Sequence, residues 1–111
     1  MTDIFARLEA LIAERRAALM ADPALAETSY AARHLAKGRL KLAEKLGEEA
    51  IETVIAAVAQ SDEALISEAA DLLFHLLLLL GERGIPLDAV RAELEKREGT
   101  SGILEKERRK P

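Results

Sequence analysis

The sequence predicts an all-α protein, an antiparallel bundle of four to five helices. Apolar residues recur at three- and four-residue spacing along most of the chain. Strong helix formers fill the longest stretches, whereas alternating runs of β-branched residues, the mark of strands, are nearly absent. Gly, Pro, Ser and Asp fall between the periodic segments, where helices begin and end.

Each helix follows from local chemistry. Ile4, Leu8, Leu11 and Ile12 define an amphipathic helix over residues 3 to 20, with Thr2 as its cap, and the DP pair at 22–23 ends it. Thr28 or Ser29 caps a second helix that runs to Gly38 or through it. Arg39 to Ala59 is a third, in which Ala50, Ile51, Val54 and Ile55 read as core. The SDE turn at 61–63 opens a fourth, from 63 to 82, which GERGIP closes with two glycines. A fifth starts at Pro86, a favoured first-turn residue, and ends near Glu98. The remaining tail, 99–111, is Gly-rich and then charged, expected to be disordered or to order only against a partner chain.

The totals bound the function. A chain of 111 residues is expected to be one domain spanning 1–111. Aromatics are 3% of the residues and Trp is absent, so Leu, Ile, Val and Ala must build the core. A net charge of −4 gives no electrostatic case for a nucleic-acid partner. With no cysteine there is no disulfide, thiolate ligand or thiol nucleophile. The N-terminus lacks a signal-peptide layout, and the apolar run LLFHLLLLLG is too short to span a bilayer. A soluble, cytoplasmic protein without a membrane partner is expected. The LLLLL run at 76–80 is apolar all round a helix and needs covering on every side, which points to a homodimer core.

The stretch KLGEEAIETV places Glu48, Glu49 and Glu52 among apolar residues. Acids at this spacing are usually a solvated face paired with Lys or Arg, and Lys41 and Lys45 lie one turn earlier. The next helix, however, carries Glu68 and Asp71 in SEAADLLFHLL. A short turn at Ser61–Asp62 implies an antiparallel hairpin, in which residues equally far from the turn lie side by side. Glu49, Glu52, Glu68 and Asp71 thus converge between two helices. Like charges this close repel, and their desolvation costs several kcal/mol per ion. A divalent Mg²⁺ or Mn²⁺, which takes oxygen ligands, would offset that cost. Neither His34 nor His75 completes the Glu-x-x-His motif of di-iron bundles.

The ordered acids in GEEAIE and EAADL resemble the EExxE…ExxD pattern of the all-α (MazG-like) nucleoside-triphosphate pyrophosphohydrolases. SYAARHLAKGRLKLAEKLGEEAIETVIAA, EAADLLFHLLLLL and LEKREGTSGILEKERR are most similar to the phosphoribosyl-ATP pyrophosphohydrolase family of histidine biosynthesis, over residues 27 to 109. The first helix matches poorly in residue identity. The resemblance implies Mg²⁺-dependent hydrolysis of the α–β phosphoanhydride of phosphoribosyl-ATP to phosphoribosyl-AMP and pyrophosphate, by a dimer. It implies metal ligation by Glu49, Glu52, Glu68 and Asp71, and a role for Glu48 as a ligand or water-orienting base.

The same resemblance implies phosphate binding by Lys41 and Lys45, with Arg33 and Lys37 as weaker candidates, and closure over substrate by Arg97, Ser101 and Gly102. Phe74 stands where the family commonly has Tyr. His75 reads as a core histidine that can orient Asp71. Two alternatives stay open: a housecleaning (d)NTP pyrophosphohydrolase with the same acids, and a helical dimerisation module without chemistry.

Overall fold

The computed structural model describes residues 3–99, 106, 107 and 109. Its helices are α1 (Ile4–Ala21), α2 (Tyr30–Ala36), α3 (Arg39–Ala59), α4 (Asp62–Glu82) and α5 (Leu87–Arg97), with a short 3-10 turn, Pro23–Glu27, between α1 and α2. No strand occurs among the described residues, so the all-α expectation holds.

Side-chain caps fix three of the helix starts. Asp22 accepts a hydrogen bond from Ala24 N–H, Ser29 from Ala32 N–H and Ser61 from Ala64 N–H, each at 3.2 Å. Each cap satisfies a backbone donor that a helix start leaves unpaired. Thr2, expected to cap α1, lies outside the described residues. Gly38 separates α2 from α3 at φ 90° and ψ 169°, a conformation essentially restricted to glycine, so the helix stops there and does not run through. At the end of α4, Ile85 N–H donates to Leu80 O at 2.9 Å and Gly84 N–H to Gly81 O at 3.0 Å. With Gly84 at φ 70° this is a Schellman termination. Pro86 precedes α5 instead of opening it, and the Glu9 carboxylate on α1 accepts the free Leu87 N–H.

The long helices α3 and α4 form the expected antiparallel hairpin. Arg39 at the start of α3 pairs with Glu82 at the end of α4 at 2.7 Å, which fixes the open end of the hairpin. α1 and α2 cover its apolar side. Ile12, Ala31, Leu35, Leu42, Leu77 and Leu78 are buried together, with Phe5, Leu8, Leu19, Phe74, Leu79 and Leu87 packed around them.

One expectation about the core needs correction. Of the residues read as core on α3, Ile51 (62% exposed), Val54 (61%) and Ile55 (48%) face outward in the isolated chain. The helix turns Leu42, Glu49 and Ala56 inward instead, at seven-residue intervals. In the LLLLL run, Leu77 and Leu78 are buried and the others partly covered by the chain's own helices. Although LLFHLLLLLG is short, α4 as a whole is long and apolar enough to cross a membrane by length and composition. It carries Glu68, Asp71 and His75, however, and packs along α3.

Gly81 lets α1 approach α4. A Cβ built there would lie 2.5 Å from Ile12 Cγ2, on a β-branched side chain that is fully buried. Gly81→Ala should therefore destabilise the fold by about 1–3 kcal/mol through overpacking, a loss of several degrees in melting temperature. In an Ile12→Ala background that loss should largely vanish, which a double-mutant cycle of thermal melts would measure.

Candidate active site

The inward stripe of α3 carries an acid in its middle. Glu49 is only 4% exposed, between the apolar Leu42 and Ala56 turns. Across from it, α4 presents the half-buried Glu68 and the exposed Asp71. One carboxylate oxygen from each of the three lies within 4.8 Å of the others. Two of the buried oxygens, Glu49 Oε2 and Glu68 Oε2, have no hydrogen-bond partner among the described residues. Lys45 supplies the nearest positive charge, 3.3 Å from Glu49 Oε1 and 3.8 Å from Glu48. Its hydrogen bond to Glu49 raises the Lys45 pKa above its ordinary value, and its own desolvation opposes the rise.

Buried carboxylate oxygens without donors are costly unless something binds them. Oxygens that share one hard cation lie within about 5 Å of each other, twice a metal–oxygen distance. The trio therefore fits a divalent cation, as the sequence predicted for three of its four acids. Glu52, expected as the fourth, is exposed on the flank of α3 and contributes no oxygen to the trio. The reason is angular: α3 turns Thr53, not Glu52, toward α4.

Thr53 was missed by sequence reasoning. Its hydroxyl donates to Glu49 O at 2.7 Å and lies 3.2 Å from Glu68 O. It thus ties the two acid-bearing turns together across the hairpin. The available signal was its place four residues after Glu49, on the same strip of helix.

His75 is buried at 2% exposure, and its Nδ1 lies 2.7 Å from Asp71 O. It meets the Asp71 backbone instead of its carboxylate. Its Nε2 is buried without a hydrogen-bond partner among the described residues. The His34 ring stands edge-on to it at 5.3 Å. Burial, and after it the charges of Lys37 and its neighbours, holds the His34 pKa below its usual range.

Beside the trio runs a cleft of about 370 Å³ between α2 and the first half of α3. Arg33, Lys37, Lys41 and Lys45 line it, spaced at four-residue intervals, together with Tyr30, His34 and Glu48. Lys41 pairs with Glu44 at 3.2 Å, and Arg33 donates to the carbonyls of Ala26 and Glu27. The sequence-predicted Lys41, Lys45 and Glu48 therefore meet in one cleft. Arg97 sits on α5, bonded to Glu93 at 3.1 Å, and does not line it. Ser101 and Gly102 lie outside the described residues.

A hairpin that presents carboxylates from two facing helices beside a basic cleft defines an all-α protein suited to a divalent cation and an anionic ligand. Comparison with known proteins narrows this. Residues 6–98 match the family model for phosphoribosyl-ATP pyrophosphohydrolase. The chain is 60% identical over 103 residues to the phosphoribosyl-ATP pyrophosphatase of Erythrobacter litoralis, an alignment covering 93% of each chain. It is 57% identical over 106 residues to that of Sphingopyxis alaskensis, covering 96% of this chain and 93% of the relative. The corresponding protein of Caulobacter vibrioides is 53% identical over 106 residues, 96% of this chain and 92% of the relative. The chain belongs to the phosphoribosyl-ATP pyrophosphohydrolase family. The match reaches back into α1, further than the motif resemblance did.

The trio makes opposite demands on folding and on metal binding. Without metal, Glu68→Gln removes one of three crowded charges and should raise the melting temperature. The same variant should weaken Mn²⁺ binding by at least about tenfold. Melts in chelator beside Mn²⁺ titrations read both effects, and a variant that is less stable without metal would contradict the charge-crowding account.

Proposed function

We propose that this chain hydrolyses the α–β phosphoanhydride of phosphoribosyl-ATP, giving phosphoribosyl-AMP and pyrophosphate in the second step of histidine biosynthesis. The observation that carries the reading is the Glu49–Glu68–Asp71 trio, with Glu49 buried, beside a basic cleft, in a chain of this family. Mg²⁺ is the proposed cation, with Mn²⁺ able to replace it. Glu49, Glu68 and Asp71 would hold it, and Glu52, one turn after Glu48, would rotate in from the flank as the fourth ligand. When bound, the cation neutralises phosphate charge and acidifies water.

The chain's own residues supply the rest. Lys45 is held over the acids by its pairs with Glu48 and Glu49 and can turn to an incoming phosphate oxygen. Lys41 adds a second cation along the cleft, and Arg97 with Ser101 is proposed to close over the bound substrate. Glu48 keeps an exposed carboxylate at the cleft edge, suited to orient a water and take its proton. The water oxygen bonds to phosphorus, the anhydride P–O bond breaks and pyrophosphate leaves with the bonding pair. Positioning and charge neutralisation do most of the work, as in phosphoryl transfer generally.

The working unit is proposed to be a homodimer of single-domain chains, soluble and cytoplasmic, with no membrane or nucleic-acid partner. Leu40, Ile51, Val54 and Val58 form a continuous exposed apolar stripe on α3, 87%, 62%, 61% and 82% exposed. Gly47 lies on the same stripe with open space above it, so a second helix can approach closely. A stripe of this kind marks an association surface. Val54→Glu is expected to convert a dimer to monomers in light scattering, and a wild-type monomer would refute the assembly.

Pyrophosphate release from phosphoribosyl-ATP, with and without Mg²⁺ and beside a panel of dNTPs, tests the activity. Turnover should require Mg²⁺ and be confined to phosphoribosyl-ATP. Glu49→Gln, Glu52→Gln and Glu68→Gln should each cost more than the ~10–100-fold lost with an outer-shell partner, with helical content unchanged. Near wild-type turnover of Glu52→Gln would remove it from the ligand set. Turnover of a dNTP instead would keep the site and replace the substrate.

A further inference from the structure

The chain has very few rings, yet four of its five ring-bearing side chains, Tyr30, His34, Phe74 and His75, gather at one place, Phe5 being the other. They form a stack graded from inside to outside. His75 is buried at its base, and His34 stands edge-on to it. Phe74 packs against His75 at 5.6 Å and lies tilted below Tyr30 at 5.7 Å. Tyr30, edge-on to His34 at 4.3 Å, is outermost and 57% exposed.

The place of the stack gives it meaning. Tyr30 and His34 line the basic cleft whose other end holds Lys45 and Glu48. At its base, His75 is bonded to the carbonyl of Asp71, a member of the acid trio. A rigid aromatic surface therefore stands beside the row of cations that leads to the carboxylates. Packing alone does not account for Tyr30. More than half of it is in water, and its hydroxyl makes no hydrogen bond among the described residues. Lys37, next to it in the cleft, makes no ion pair among the described residues. An exposed ring backed by other rings is a surface for a planar base, and an adjacent unpaired cation suits a phosphate.

We propose that Tyr30 is the base-stacking residue of the nucleotide site: the adenine ring of the substrate lies on its exposed face in the cleft between α2 and α3, and the phosphates run along the lysines to the acid trio. The proposal rests on the phosphoribosyl-ATP reading of the site and adds the part that recognises the base. The Ser29 cap fixes the first turn of α2, and the rings of His34 and Phe74 back the Tyr30 ring from beneath.

Tyr30 is the sole tyrosine in a chain without tryptophan, so the protein's own fluorescence reports on this ring alone. Saturating AMP should shorten its fluorescence lifetime, and ribose 5-phosphate, which has no base, should leave it unchanged. In steady-state assays Tyr30→Ala and Tyr30→Leu should raise KM for phosphoribosyl-ATP roughly 5- to 100-fold, the range that loss of one stacked base spans. Tyr30→Phe, which keeps the ring, should restore KM. An unchanged lifetime with AMP bound, or a wild-type KM in Tyr30→Leu, would overturn the proposal while leaving the hydrolase reading intact. Absence of turnover in the wild-type chain would instead overturn that reading, and the AMP titration would still decide the role of Tyr30.

Discussion

The structure turns on a repulsion. Glu49, Glu68 and Asp71 are brought within reach of a common point by the hairpin of α3 and α4, and nothing about that arrangement favours folding by itself. Crowded carboxylates leaving water cost several kcal/mol each before compensation. The hairpin must therefore be held by contacts elsewhere. Leu42, Leu77 and Leu78 bury the hairpin against α1 and α2, Arg39 and Glu82 pair at its open end, and Thr53 links its two strands of backbone beside the acids. Lys45 partly neutralises the cluster from within α3. The apolar packing and these few polar ties impose on the acids a position that they would not choose.

That conflict is the usual sign of function. A charge cluster that destabilises the chain but matches the demands of a hard cation is preorganised for it, because the cost of assembling the ligands is met during folding. The neighbouring cleft extends the same logic. Its cations, Arg33, Lys37, Lys41 and Lys45, follow one another at four-residue steps, so charges that would repel each other in solution are held side by side. The aromatic stack beside them ties recognition of a base to the turn that carries Asp71.

Much of this was legible in the residues. Ser29, Gly38, Ser61 and Gly84 stand at helix ends because caps and left-handed turns demand those residues, and α3 runs over the predicted residues. The pairing of α3 with α4 followed from the shortness of the turn at Ser61, and the convergence of Glu49, Glu68 and Asp71 followed from the pairing. Illegible were the features that depend on a fraction of a helical turn. Glu49 and Glu52 are both reasonable inward residues by spacing, and only the rotation of α3 against α4 placed Thr53 inward and Glu52 on the flank. The apolar residues Ile51, Val54 and Ile55 misled for the same reason: hydrophobicity says that they need cover, not which chain supplies it.

The sequence by itself thus determined the helices, their order, their hairpin and the meeting of acids from its two helices, since these depend on contacts a few residues apart and on a single short turn. Tertiary structure alone decided which oxygens meet, which apolar stripe stays bare and that Tyr30, His34, Phe74 and His75 form one stack. Those outcomes depend on the axial rotation and crossing of helices far apart in the chain. Such angles are set by the summed packing of the core and by no local residue pattern.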